Sequence, residues 1–144
     1  MNSELYLAAS KLMRLFRQHH RQYLEQHNLF LGQPKILSTL KKHPGLSQQE
    51  LTTLTQGVKE TVSMSVRRLM KSGLISRETD LVDKRKYSLY LTNTGEKVLE
   101  TVDQGIKKLN DNLLNGFSEE EISQLTFFIQ RIIENMEMNQ CDEY

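Results

Sequence analysis

The chain has 144 residues, 38% of them hydrophobic and 26% charged, with a net charge of +1, seven glycines, two prolines and one cysteine. That composition suits a single domain with a modest core and excludes collagen-like and low-complexity chains; the lone Cys141 excludes an internal disulfide and a cysteine-based zinc site. No apolar run reaches the ~18 residues a membrane helix needs, and Met1-Asn2-Ser3-Glu4 lacks the basic patch of a signal peptide, so the expectation is a soluble, cytoplasmic protein with no membrane partner.

Leu5, Ala8, Leu12, Leu15, Phe16, His19 and Tyr23 recur at three- and four-residue steps, which predicts one long amphipathic helix over residues 4–27. Asn28 to Gly32 breaks it. A second helix starts near Pro34, whose fixed φ suits a first turn, carries Ile36, Leu37 and Leu40, and stops at His43-Pro44-Gly45. Ser47-Gln48-Gln49-Glu50 has capping-box spacing and opens a short third helix through Thr55. Gln56-Gly57 is a tight joint before a fourth helix over residues 58–72, closed by Ser72-Gly73 as a glycine C-cap. Two alternating segments, Leu74 to Glu78 and Tyr87 to Leu91, flank a charged turn from Asp80 to Lys86 and predict a β-hairpin. Thr92 caps a fifth helix with Leu99, Val102, Ile106, Leu109 and Leu113 on one side. After Gly116, a second capping box at Ser118 to Glu121 opens a last helix with Ile122, Leu125, Ile129, Ile132, Ile133 and Met136, and the tail from Asn139 to Tyr144 is expected to fray. The fold class is thus mainly α (α+β): a winged helix-turn-helix over residues 32–92, with long terminal helices over 4–27 and 93–138.

The near-zero net charge hides an asymmetry. Between Gly32 and Thr92 stand eleven Lys or Arg against five acids, a local excess of six, while the remainder is acidic by five. A basic middle faces a polyanion. At ~100° per residue, Val62, Val66 and Leu69 of the fourth helix form a core stripe, and Glu60, Thr61, Met64, Arg67 and Arg68 lie opposite. Two arginines, a hydroxyl and a methionine on one face suit guanine edges, phosphates and thymine methyls. At the hairpin tip, Asp83-Lys84-Arg85-Lys86 places three cations in a row, the side-chain type that a narrow, electronegative groove attracts. Asp83 would be repelled by phosphate, so its expected role is to buttress Arg85 or Arg77.

Gly73-Leu74-Ile75-Ser76-Arg77, Asp83-Lys84-Arg85 and Leu89-Tyr90-Leu91-Thr92-Asn93-Thr94-Gly95 together resemble the MarR family of bacterial transcriptional regulators, and the likeness covers nearly the whole chain. The resemblance implies that the fourth helix reads the major groove of double-stranded DNA and that Arg85 enters the minor groove. It places DNA-contacting roles on Thr61, Met64, Ser65, Arg68 and Arg85, with Arg77 and Lys84 as phosphate or supporting contacts. Arg67 joins them from its place on the fourth helix and Lys86 from the cationic tip. Met64 stands where many relatives carry a polar or basic residue, so base preference does not carry over.

The helical series 99, 102, 106, 109, 113 and 122, 125, 129, 132, 136 have the three-four alternation of helix seams. The resemblance implies that the terminal helices form a homodimerisation region, setting two reading helices ~34 Å apart on a pseudo-palindromic operator. It further implies a small lipophilic or phenolic effector between the dimer helices and the winged module, for which Phe16, His20 and Tyr23 are the candidates, and a repressor released by that effector. Neither a metal nor a cofactor is expected: His20 and His27 share a face, but nothing in the sequence completes a site. With no phosphate loop, nucleophile motif or paired acid and base, the chain does not read as an enzyme. The competing reading is a winged-helix protein-interaction adaptor without specific DNA binding.

Overall fold

The computed structural model describes residues 3–141, with side chains through residue 139. In chain order the elements are α1 (Ser3–Glu25), α2 (Gln33–Lys42), α3 (Gln48–Thr55), α4 (Lys59–Lys71), β1 (Ile75–Thr79), β2 (Tyr87–Leu91), α5 (Asn93–Leu113) and α6 (Glu119–Cys141). The predicted order is therefore the observed one, with edges moved by a residue or two. One boundary differs more. Fraying is expected from Asn139, whereas α6 runs on to Cys141, and Glu137, Met138 and Gln140 are good helix formers. The last three residues of the expected tail lie outside the described residues, as do Met1 and Asn2.

Local signals fix the joints. Ser47 Oγ accepts from the Glu50 amide at 3.1 Å while the Glu50 carboxylate accepts from the Ser47 amide at 2.8 Å, a complete capping box. The second box forms as well, with Ser118 and Glu121 exchanging bonds of 2.8 and 3.2 Å. At the α3–α4 joint the left-handed residue is Gln56, with φ 53°, rather than the glycine after it. Past α4, the Leu74 amide bonds the Leu69 carbonyl at 2.9 Å and the Gly73 amide bonds that of Met70 at 3.1 Å, a Schellman closure that aims the chain into β1.

β1 and β2 pair antiparallel, with Ile75 opposite Leu91, Arg77 opposite Leu89 and Thr79 opposite Tyr87. A contact not foreseen from the sequence ties this hairpin down: Leu46 bridges Leu89, and the Leu89 amide and carbonyl bond Leu46 and Gly45 at 2.8 and 2.9 Å. The segment after Pro44 is thus a short third partner of the wing, not only a loop.

The chain divides into two compact units, Met1–Ile106 and Lys107–Tyr144. The core lies in the first. It joins Leu24 of α1, Leu29 of the following link, Ile36, Leu37 and Leu40 of α2, Leu51 of α3 and Val62, Val66 and Leu69 of α4 to Leu74, Ile75 and Leu89 around the hairpin and to Leu99 and Val102 of α5. In the second unit, α6 buries none of its described residues. Its Leu125, Phe127, Phe128, Ile129, Ile132, Ile133 and Met136 are 41–61% exposed in the single chain.

Candidate nucleic-acid interface

The stripe expected to hold α4 to the core is the buried one: Val62, Val66 and Leu69. The other side of the helix is consequently turned outward. Met64 and Arg67 are exposed. Thr61, exposed, and Ser65, half-buried, sit further round the helix and line a hollow of about 100 Å³ with Leu31, Gly32, Lys35 and Gly57. The Arg68 guanidinium lies over the Phe30 ring of the α1–α2 link, 4.6 Å from its centre, a cation–π contact. The five α4 residues therefore divide into an outward pair, a flanking pair and a stacked arginine.

Beside α4 the structure adds residues that the sequence reading passed over. Gln48, Gln49, Thr52 and Thr53 of α3 and Lys59 at the start of α4 line a hollow of about 400 Å³. The Thr52 and Thr53 hydroxyls donate back to the Gln48 and Gln49 carbonyls at 2.8 and 3.1 Å, so their protons are engaged within the helix. The signal was present: 48, 49, 52 and 53 share one helical face, and all four are polar.

In the wing, Arg77 stacks over Tyr87 at 5.3 Å, and the Tyr87 hydroxyl donates to Gln48 Oε1 at 3.3 Å, so this cation rides on the base of the hairpin. The tip is closed by its own groups. The Asp80 amide bonds the Lys86 carbonyl and the Lys86 amide the Asp83 carbonyl, each at 2.9 Å. Asp80 Oδ1 accepts from the Val82 and Asp83 amides at 2.8 and 2.9 Å. The Asp83 amide, then that of Val82, hold the Asp80 carboxyl below its ordinary value of 3.8, aided by the nearby Lys86 charge. Asp83 in turn accepts from the Arg85 amide at 3.1 Å and from Arg85 Nε at 3.2 Å. The expected buttress is therefore on Arg85, not Arg77. Arg85 remains 92% exposed, and Lys84 and Lys86 are exposed beside it.

Among the candidates for an effector, Phe16 and His20 meet at one cavity of about 260 Å³, lined also by Arg17, Leu24, Leu31, Gly32, Pro34, Lys35 and Ile106. Their rings are 4.0 Å apart, and His20 Nδ1 donates to the Phe16 carbonyl at 2.8 Å, leaving Nε2 the acceptor of the neutral ring. Tyr23 does not line this cavity. Its hydroxyl donates to the Thr101 carbonyl at 3.3 Å and lies over Gly105, where any Cβ would collide with it. Through these contacts Tyr23 ties α1 to α5, a link that the α1 periodicity did not reveal. Among the described residues no group of three or more His, Cys, Asp or Glu could hold a metal ion, and no helix is long and apolar enough to cross a membrane.

Comparison with known proteins agrees with this geometry. The MarR family model matches residues 30–87, from the α1–α2 link to the start of β2. The chain is 30% identical over 118 residues to the HTH-type transcriptional regulator BilQ of Clostridium symbiosum, covering 82% of each. It is 32% identical over 117 residues to the transcriptional regulator HosA of Escherichia coli, covering 79% of this chain and 85% of that one. Among solved structures, MarR itself superposes with a TM-score of 0.72 at 29% identity, covering 89% of this chain and 96% of that one. The Staphylococcus aureus MepR–DNA complex gives 0.73 at 28%, covering 94% and 98%. A core stripe that turns α4 outward, a braced cationic wing and likeness along most of a regulator's length converge on one assignment: the chain belongs to the MarR family and is a winged-helix transcriptional regulator.

Proposed function

We propose that the protein acts in the cytoplasm as a homodimeric repressor that binds a pseudo-palindromic operator in double-stranded DNA and leaves it when a small effector binds. In this reading α4 enters the major groove with Thr61, Met64, Ser65, Arg67 and Arg68, and the wing sends Arg85 into the adjacent minor groove with Arg77, Lys84 and Lys86 at the backbone. The observation that carries it is Arg85: a guanidinium 92% exposed, held out from the tip by a carboxylate that occupies Nε and leaves the terminal nitrogens free. Support for the dimer comes from α6, whose apolar side chains lie uncovered in the single chain. One short helix in a groove binds weakly; joining two raises affinity through effective concentration.

Support for an effector site comes from the Phe16–His20 cavity. At about 260 Å³ it lies just below the range for drug-sized ligands and suits a single-ring molecule. Leu24, Leu31, Pro34 and Ile106 supply apolar walls, and His20 supplies an acceptor for a phenolic hydroxyl. Such a molecule acts only by binding the DNA-incompetent arrangement more tightly.

Selecting duplexes from a random pool with the purified protein tests the reading. The expected result is a two-fold site whose affinity falls on the order of 10³–10⁵ between 50 and 200 mM salt, for ~6–10 phosphate contacts. Arg85→Ala should weaken that complex by about 1–3 kcal/mol without lowering thermal stability. Recovery of no preferred sequence would instead favour an adaptor.

A further inference from the structure

Phe30, on the α1–α2 link, is 52% exposed. Its backbone is nevertheless fixed twice by one residue. The Phe30 amide donates to Gln33 Oε1 at 2.9 Å, and the Phe30 carbonyl accepts from the Gln33 amide at 3.1 Å. Gln33 is itself buried, as is Leu29 on the other side. An exposed ring is thus mounted on an anchored segment. The Arg68 guanidinium lies over that ring, 4.6 Å from its centre.

We infer that Phe30 is a positioning residue for Arg68: a fixed platform that holds the guanidinium of the reading helix flat, with its N–H edges free to meet DNA. A lone arginine on a helix surface samples many rotamers, and ordering it on binding opposes association. A planar guanidinium stacked on a ring gives up little of its hydrogen-bonding capacity, because its donors lie in its own plane. The stack therefore removes part of the ordering cost before DNA arrives and fixes the direction of approach. Lysine, a point charge on a flexible stem, would not be held in that way. This inference rests on the DNA-binding reading above.

A double-mutant cycle on the full chain, with a duplex selected by the wild-type protein, tests it. Phe30→Leu keeps an apolar side chain and removes the ring face; the expected loss of specific affinity is about two- to fivefold. Phe30→Tyr keeps the face and should bind as the wild type does. In an Arg68→Ala background, Phe30→Leu should have no further effect. In the free protein, the Arg68 Nε–H proton should show an upfield ring-current shift that Phe30→Leu abolishes and Phe30→Tyr retains. Equal losses from Phe30→Leu in both backgrounds, no loss at all, or a Tyr variant as impaired as the Leu variant would each overturn the inference. A wild-type protein that prefers no duplex overturns the DNA reading together with it, and shows itself before any variant is made.

Discussion

A carboxylate two residues before an arginine looks out of place on a surface proposed to meet phosphate. In the wing it is turned inward: Asp83 spends its Oδ1 on the amide and Nε of Arg85 and is far less exposed than the arginine it holds. An exposed pair of this kind adds little to stability; its contribution is direction. Asp80 does the equivalent for the backbone, capping the Val82 and Asp83 amides. Because those bonds favour the ionised form, the Asp80 pKa in the folded chain lies below its unfolded value. The stabilisation is complete above the ordinary aspartate range and is lost as pH falls through the lowered value. Amide shifts of Val82 and Asp83, followed by NMR during acid titration, should report a midpoint below 3.8. A midpoint at or above it would mean that the carboxylate does not cap the turn. The aspartate-to-arginine spacing made the Asp83 brace legible in the sequence. It gave no sign of the Phe30–Arg68 stack, because that contact exists only once α2 and α4 have packed.

Among the elements, the start of α5 shows why the stretch Leu91-Thr92-Asn93-Thr94-Gly95 belongs with a hairpin. Thr92 Oγ1 accepts from the Gly95 amide at 3.0 Å, capping α5, and donates to the Gly73 carbonyl at 2.6 Å. Its amide bonds the Leu74 carbonyl at 3.1 Å. One threonine thus joins the end of α4, the exit of the wing and the start of α5. Gly95 is buried against the Leu74 carbonyl, where a Cβ would collide with backbone. Thr92→Ala should destabilise the fold by about 1–2 kcal/mol in equilibrium denaturation, with Thr92→Ser recovering most of it; an Ala variant as stable as the wild type would show that the cap is idle. Caps and hydrophobic periods of this sort are local, and they made every helix and the hairpin readable along the chain. The Leu46–Leu89 bridge and the Tyr23 bond to the Thr101 carbonyl are products of distant segments meeting, and no local pattern encodes them.

At the level of the whole molecule, the burial divides unevenly. The first unit carries the buried core, whereas α6 leaves Phe127, Phe128, Ile129, Ile132 and Ile133 exposed to water when the chain is alone. The expected consequence is association through this helix. Ile129→Glu should weaken the dimer by at least about 3 kcal/mol, since an unpaired charge would be buried in each copy. Sedimentation should then show monomers whose first unit keeps its far-UV and thermal signatures, because Ile129 lies outside that core. An unaltered dimer would move the interface elsewhere.

The wing carries a different kind of consequence. Its base is bonded to Leu46 and to Gln48, whereas the recorded hydrogen bonds of residues 80–86 all stay within that stretch. The tip is therefore an exchangeable part. Its sequence, length or charge can be rewritten by mutation without asking anything of the residues beneath; on the DNA-binding reading proposed above, a lineage acquires a new DNA preference there while inheriting the rest of the protein unchanged.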